Sequence, residues 1–377
     1  MGIEDFLGAK YDLSLWTTMD LASNITSGET LEAMLEVVPE ISSVLNTLFS
    51  DPQIREASLP FVRMSRQYWR DIINAHNEGK KIAWVNFNFP PAILHALDIV
   101  PFTAEVLASY QAVVYPGGCA KAIDYCTEIG MPETMCTAQR GGVGAMRQLE
   151  TAKPAMVLNA ASGSCDTNSA NFAFVSEYLH LPFCNLDAPP YYDEDGPMRD
   201  YYRAEFRKMV SFLEEQSGNK LDEDKLRAVC EKAKKQDEYI AEIYDLRRAF
   251  PNPLPAIFNL MLFGTRFMAT GTPEATEMLK TMYEVTKERY KSGQGVLPEE
   301  KVRMGLVYLS HFTTGGEFWK WLENNGISLL IEGLSLFNHQ HYTIDCSTVD
   351  TMLDSLADQF SNMPMTKQIR GPYDYPG

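Results

Sequence analysis

The chain has no run of about 18 apolar residues, the length a helix needs to cross a bilayer, so no membrane span is expected. Its start, MGIEDFLGAKYDLSLW, lacks the basic region and apolar core of a secretory signal. Phe6 stands where a myristoylation site needs Ser or Thr. These absences predict a cytoplasmic location. Positive charge is also scarce: 33 Lys and Arg face 50 Asp and Glu, a net charge of −17. Without clustered cations to neutralise phosphates, nucleic acid is not an expected partner. Nothing matches G-x-x-x-x-G-K-[ST], so the chain is not expected to hydrolyse ATP itself. There is no C-x-x-C pair for a zinc ribbon, and His339 and His341 are the only close pair among six histidines. GGVGAM (141–146) is not a dinucleotide fingerprint; its glycines read as places where a helix starts close against another backbone.

With 45% hydrophobic and 22% charged residues, the composition is that of a globular protein. At 377 residues the chain exceeds one ordinary core, which predicts two domains. Residues 1–79 carry apolar side chains at helical spacing in TLEAMLEVVPEISSVLNTLFS and LPFVRMSRQYWRDIINAHNEG, with Gly79 as a stop. KKIAWVNFNFPPAILHALDIVPF reads as a strand, a Pro-marked loop and a short helix. QAVVY (111–115) and AMVLNA (155–160) read as further buried strands with GGVGAMRQLE a helix between them, and LPFCNLDAPP (181–190) continues the alternation. Strands alternating with helices predict a parallel α/β sheet. From 197 to 296 the pattern is helical, broken at PNPLP, with Leu226, Val229, Ala233, Ile240 and Ile243 near one face of a long helix. After SGQGVLPEE, KVRMGLVYLS and ISLLIEG flank the helix EFWKWLENN and open a second α/β unit. The expected fold is therefore α/β with two parallel-sheet, Rossmann- or flavodoxin-like domains: an N-terminal helical region (1–79), a first α/β domain (80–196), a helical segment (197–296) and a partial second α/β domain (297–377).

Seven cysteines, an odd number, accompany no secretory signal, so reduced thiols with metal or catalytic roles are worth testing. Cys119, Cys126, Cys136, Cys165 and Cys184 crowd one region, whereas Cys230 sits within a helix as a small packing residue. Cys136 precedes a helix start and Cys165 follows a strand. Parallel strands end on one edge of their sheet, where ligands collect, so the two can meet there. By spacing alone, two inert buried cysteines remain the commoner explanation. Glu105, in VPFTAEV, is likewise open between a pocket carboxylate and a solvated residue at a helix start.

The ordered blocks GKKIAWVNFNFPPAILHALDIVPFTAE, MPETMCTAQRGGVGAM, AMVLNAASGSCDTN, LPFCNLDAP, GNKLDEDKLRAVCEKAKKQDE, GTPEATEMLKTMYEVTKERYKSGQG, EKVRMGLVYLSHF and EFWKWLENNGISLLIEG carry a resemblance. In this order and spacing they are similar to the cluster-binding subunits of the 2-hydroxyacyl-CoA dehydratase / benzoyl-CoA reductase family. The resemblance implies a 4Fe–4S cluster held by three cysteines, the first two at Cys136 and Cys165. The third family position lies beyond the end of this chain, and Cys346 precedes it. Ser162, Gly163 and Ser164 would supply hydrogen bonds to cluster sulfur, and Asp166 would cap the following helix.

The implied reaction removes water from a 2-hydroxyacyl-CoA. One electron turns the thioester carbonyl into a ketyl radical, hydroxide leaves C2, and the β-hydrogen becomes acidic enough to remove. Glu105 is the implied proton acceptor, and Asn86 and Asn88 would orient the carbonyl. Implied partners are the acyl-CoA, a homologous second subunit in a heterodimer, and a separate ATP-hydrolysing iron–sulfur activator. Ala92 stands where dehydratase relatives often carry Glu after the Pro. Reduction of an aromatic acyl-CoA, and a cluster-free structural subunit, stay open as alternatives.

Overall fold

The computed structural model describes residues 48–49, 52–89, 91–114, 119–147, 152–161, 165–187, 196–307, 317–332 and 343–363. Helix α1 (Pro52–Asn74) leads through a turn at Gly79, whose φ of 70° suits glycine, into β1 (Lys81–Val85). There follow α2 (Ala92–Ala96), β2 (Ile99–Thr103), α3 (Ala104–Val114), α4 (Ala120–Glu128), α5 (Thr137–Met146), β3 (Met156–Asn159), α6 (Asp166–Leu179) and β4 (Phe183–Asn185). The four strands form one parallel sheet in the order β2-β1-β3-β4.

Period-two alternation splits the strand side chains between two cores. Ile82, Trp84, Val100, Phe102 and Val157 face one side, with Trp69 of α1 and Phe172 of α6. Ala83, Val85, Ile99, Met156 and Leu158 face the other. That second face is covered by α7 (Pro197–Ser217), α8 (Glu223–Leu246) and α12 (Val349–Ser361), through Phe206, Leu226 and Phe360. Burial on both faces is what a parallel sheet requires.

Between α8 and α12 lie α9 (Ile257–Ala269), α10 (Pro273–Lys291), β5 (Val302–Leu306), α11 (Glu317–Asn324) and β6 (Ile327–Glu332). Strands β5 and β6 pair in parallel, as expected for KVRMGLVYLS and ISLLIEG. The apolar stripe of α8 is buried at every named position, and Cys230 is wholly enclosed. Arg199 and Arg203 of α7 both reach Asp358 of α12 at 2.6 Å, tying these two helices together over the sheet.

Two expectations about this region are corrected. Residues 111–114 of QAVVY are not a strand but the end of α3. A short apolar run fits a buried helix as well as a buried strand, and here the chain is already coiling from Ala104. Conversely, DIVPF contains a strand. Pro101 removes a ladder donor, which argues against a central position, but β2 is an edge strand and tolerates it. The helical stretch from 197 is two helices, parted at Gly218, where φ is 78°.

The glycines of GGVGAM do what close backbone approach demands. A Cβ on Gly142 would overlap the carbonyl of Ala104 in α3, and one on Gly144 the carbonyl of Ala122 in α4. Neither obstacle is a flexible side chain. Gly142→Ala is therefore expected to destabilise the fold by about 1–3 kcal/mol despite its better helix propensity, as read by urea unfolding.

Candidate functional site

Strand β1 hands the chain to β2 on one side, and the next strand, β3, is laid down on the other. The sheet order thus reverses between β1 and β3, and the crevice outside their carboxyl ends is where open α/β sheets gather ligands. Asparagines line this edge. Asn86, just after β1, accepts the Ala160 N–H on its Oδ1 at 3.1 Å and so staples β1 to β3. Asn159, ending β3, donates to Asn185 Oδ1 at 2.7 Å, while its own Oδ1 accepts the Ala161 N–H at 3.1 Å. Because its oxygen is committed, the Asn86 amide must turn its NH2 away from Ala160. That nitrogen and Nδ2 of Asn88 are buried and have no acceptor among the described residues.

Glu105 begins α3 at the same edge. It is only 8% exposed, so the solvated reading is not what the structure holds. The Phe87 N–H donates to its Oε2 at 3.0 Å, and Gln139 Nε2 of α5 donates to Oε1. Asn171 Nδ2 of α6 donates in turn to Gln139 Oε1 at 2.6 Å. Burial is the largest influence on this carboxyl and pushes its pKa up to about 7, although donors from Phe87, Gln139 and Asn168 favour the anion. A carboxyl poised there can both take and release a proton near neutral pH.

Cys136 and Cys165 are the N-caps of α5 and α6. Cys136 is exposed, and its side chain makes no capping hydrogen bond. Arg140, one turn on, is buried and braces the approach to it by donating to the carbonyls of Glu133 (3.2 Å) and Ile123 (2.9 Å). Cys165 is half-buried, and its Sγ accepts the Asn168 N–H at 3.4 Å. Burial raises the Cys165 thiol. The Asn168 N–H opposes that shift, while the charges of Glu105 and Cys136 add to it. Two thiols and a carboxyl that are distant in sequence therefore share one electrostatic neighbourhood.

The structure thus brings Asn86, Asn88, Glu105, Cys136 and Cys165 to one edge. Ser162, Gly163 and Ser164 lie outside the described residues, as do His339 and His341. Asp166 is corrected: it is the first residue of α6, and the cap is Cys165 itself. Cys346 does not join the site; it lies beside Cys230, whose thiol its charge raises. Gln139, Asn168 and Asn171 were not foreseen. The i, i+3 spacing of the two asparagines at a helix start, placing both on one face, was the available signal.

The family model of the 2-hydroxyglutaryl-CoA dehydratase D-component matches residues 86–374. The chain is 24% identical over 277 residues to the (R)-phenyllactyl-CoA dehydratase alpha subunit of Clostridium sporogenes, covering 67% of each. It is 26% identical over 217 residues to one of the benzoyl-CoA reductase subunits of Thauera aromatica, 52% of this chain and 50% of that one. It is 21% identical over 327 residues to the (R)-2-hydroxyisocaproyl-CoA dehydratase alpha subunit of Clostridioides difficile, 84% of this chain and 78% of the relative. The match over most of its length, running through the switch-point edge and both helix-capping cysteines, shows that the chain belongs to the 2-hydroxyglutaryl-CoA dehydratase D-component family.

Proposed function

We propose that the chain is one subunit of an iron–sulfur 2-hydroxyacyl-CoA dehydratase that eliminates water from an (R)-2-hydroxyacyl-CoA. The observation that carries this reading is the convergence of Cys136 and Cys165, each at a helix N-terminus, beside the buried Glu105. Helix N-termini favour anionic sulfur, and thiolates are the ligands a 4Fe–4S cluster needs. Two thiols therefore fit the group. The other five cysteines do not extend the set: Cys119 and Cys126 donate to the carbonyls of Ala108 and Arg140, Cys184 packs against the second core, and Cys230 lies beside Cys346. Among the described residues no cluster of three or more His, Cys, Asp or Glu is placed to hold a metal. In this reading Cys136 and Cys165 supply two ligands, and the third comes from outside the seven cysteines of this sequence.

When bound, the cluster supplies single electrons at low potential. The chain's own residues do the rest. The free NH2 groups of Asn86 and Asn88 orient the thioester carbonyl, supported by their burial without an acceptor among the described residues. Glu105 takes the proton from C3, supported by its burial and its raised pKa of about 7. Hydroxide from C2 and the proton from C3 together make water, so the elimination is redox-neutral overall. A homologous second subunit and an ATP-hydrolysing activator complete the assembly, in the cytoplasm. The four-stranded and two-stranded sheets belong, in the same reading, to two successive α/β domains.

Similarity to a benzoyl-CoA reductase chain, with buried Ala92 where dehydratases often carry Glu, favours reduction of an aromatic acyl-CoA as the second reading. A tagged chain purified anaerobically from its own host, with whatever subunit it carries along, should contain iron and acid-labile sulfide. Given an activator and reductant, it should convert 2-hydroxyacyl-CoAs to enoyl-CoAs. Turnover of aromatic acyl-CoAs alone would favour the reductase. Iron-free protein after reconstitution would leave the cluster-free structural subunit.

A further inference from the structure

We propose that Asn171, acting through Gln139, is a positioning residue for Glu105: the two amides form a relay that keeps a donor against Oε1. This deepens the reading above and rests on it, since Glu105 is there the proton acceptor.

The relay follows from the two ends of an amide. Gln139 is 2% exposed and Asn171 fully buried, so neither can exchange its protein partner for bulk water. Asn171 donates to Gln139 Oε1, which leaves only the Gln139 NH2 to face Glu105. Had Gln139 turned over, its oxygen would meet a carboxylate oxygen, an arrangement tolerable only if Glu105 held a proton. Asn171 bonds to Gln139 rather than to Glu105, yet its donor selects which end of Gln139 the carboxyl meets. On the other oxygen the choice is made by backbone, since the Phe87 N–H can only donate. Asn168 also donates to this carboxyl, so every protein group that bonds it is a donor and the proton it takes must come from the substrate. The titratable groups felt around Glu105 are Tyr68 from α1 and Cys165 from α6, with Cys136 coupled to Cys165 in turn. The hydrogen bonds of the amide pair run to Glu105 and to each other, not to these groups.

The test reverses the polarity. In Asn171→Asp the new carboxyl, when ionised, accepts only, so Gln139 should swing its NH2 toward it, present oxygen to Glu105 and leave the one proton of the pair on Glu105. At pH 8 the iron-free variant should show a carboxylic-acid carbonyl band in the infrared that wild type lacks and that disappears in Asn171→Asp/Glu105→Gln. In the assembled enzyme kcat should fall about 10- to 100-fold with KM within about twofold. Asn171→Ala, uncharged, should show a smaller kcat loss and no acid band. If Asn171→Asp does not fold by circular dichroism, Gln139→Glu replaces it. Its carboxyl, receiving the Asn171 donor, must share a proton with Glu105 and give the same band. A folded polarity-reversing variant without the band, or with wild-type kcat, overturns the relay. An active Glu105→Gln enzyme would instead sink the proton-acceptor reading while leaving the infrared result to judge the relay.

Discussion

Glu105→Gln is expected to lose about 10²- to 10⁴-fold in kcat while remaining folded, the range associated with removing a positioned acid–base group. The substitution keeps the shape and one acceptor but cannot take a proton. A second effect separates a proton-holding carboxyl from a merely buried one. An unfolded Glu releases its proton near the ordinary value of 4.5, whereas burial holds the folded pKa up at about 7. Between those values the folded state binds more protons than the unfolded, so stability falls as pH rises from about 4.5 to about 7 and is flat beyond. With roughly 1.4 kcal/mol per unit, the wild type should lose about 3 kcal/mol across this window from this group. Glu105→Gln should lack that component. Urea unfolding of both proteins at pH 5, 6, 7 and 8 reads it as a wild-type-minus-variant stability that falls with rising pH and levels off above about 7. A pH-independent difference would mean that Glu105 is ionised throughout and unsuited to the role.

Why this carboxyl is buried lies beyond any local pattern. VPFTAEV alone fits a solvated residue in the first turn of a helix. The decision comes from the Phe87 amide, 18 residues earlier, and from Gln139, 34 residues later, both delivered by the parallel strand order. The alternation of strand and helix predicted that order in kind, and AMVLNA and the strand in KKIAWV fell where expected. The strand bearing Pro101 was missed because a proline is judged by strand position, and edge or centre is a tertiary fact. QAVVY misled for the opposite reason, its residues 111–114 continuing helix α3 rather than entering the sheet. The two cysteines were legible as candidates because each marks a helix start. Their convergence needed the crossover from β2 past β1 to β3.

The same caps set the second large effect. Cys136→Ala and Cys165→Ala should each abolish retention of iron and sulfide after anaerobic reconstitution, with loss of the charge-transfer absorption, because a site missing one of its few thiolates holds no stable cluster. Their costs to the iron-free fold should differ. Cys136 is exposed and makes no capping bond, so its removal should change stability by no more than about 0.5 kcal/mol. Cys165 accepts the Asn168 N–H, and replacing that acceptor by Ala should cost about 1 kcal/mol. Cys165→Ser tests the distinction directly. A hydroxyl caps a helix well, so stability should return to the wild-type value or above it, while the hard oxygen remains a poor substitute for thiolate and iron stays lost. If iron binding survives in Cys165→Ala, the thiol is a cap and nothing more. If it is lost in Ala and restored in Ser, the residue acts by shaping the α6 terminus rather than by holding metal.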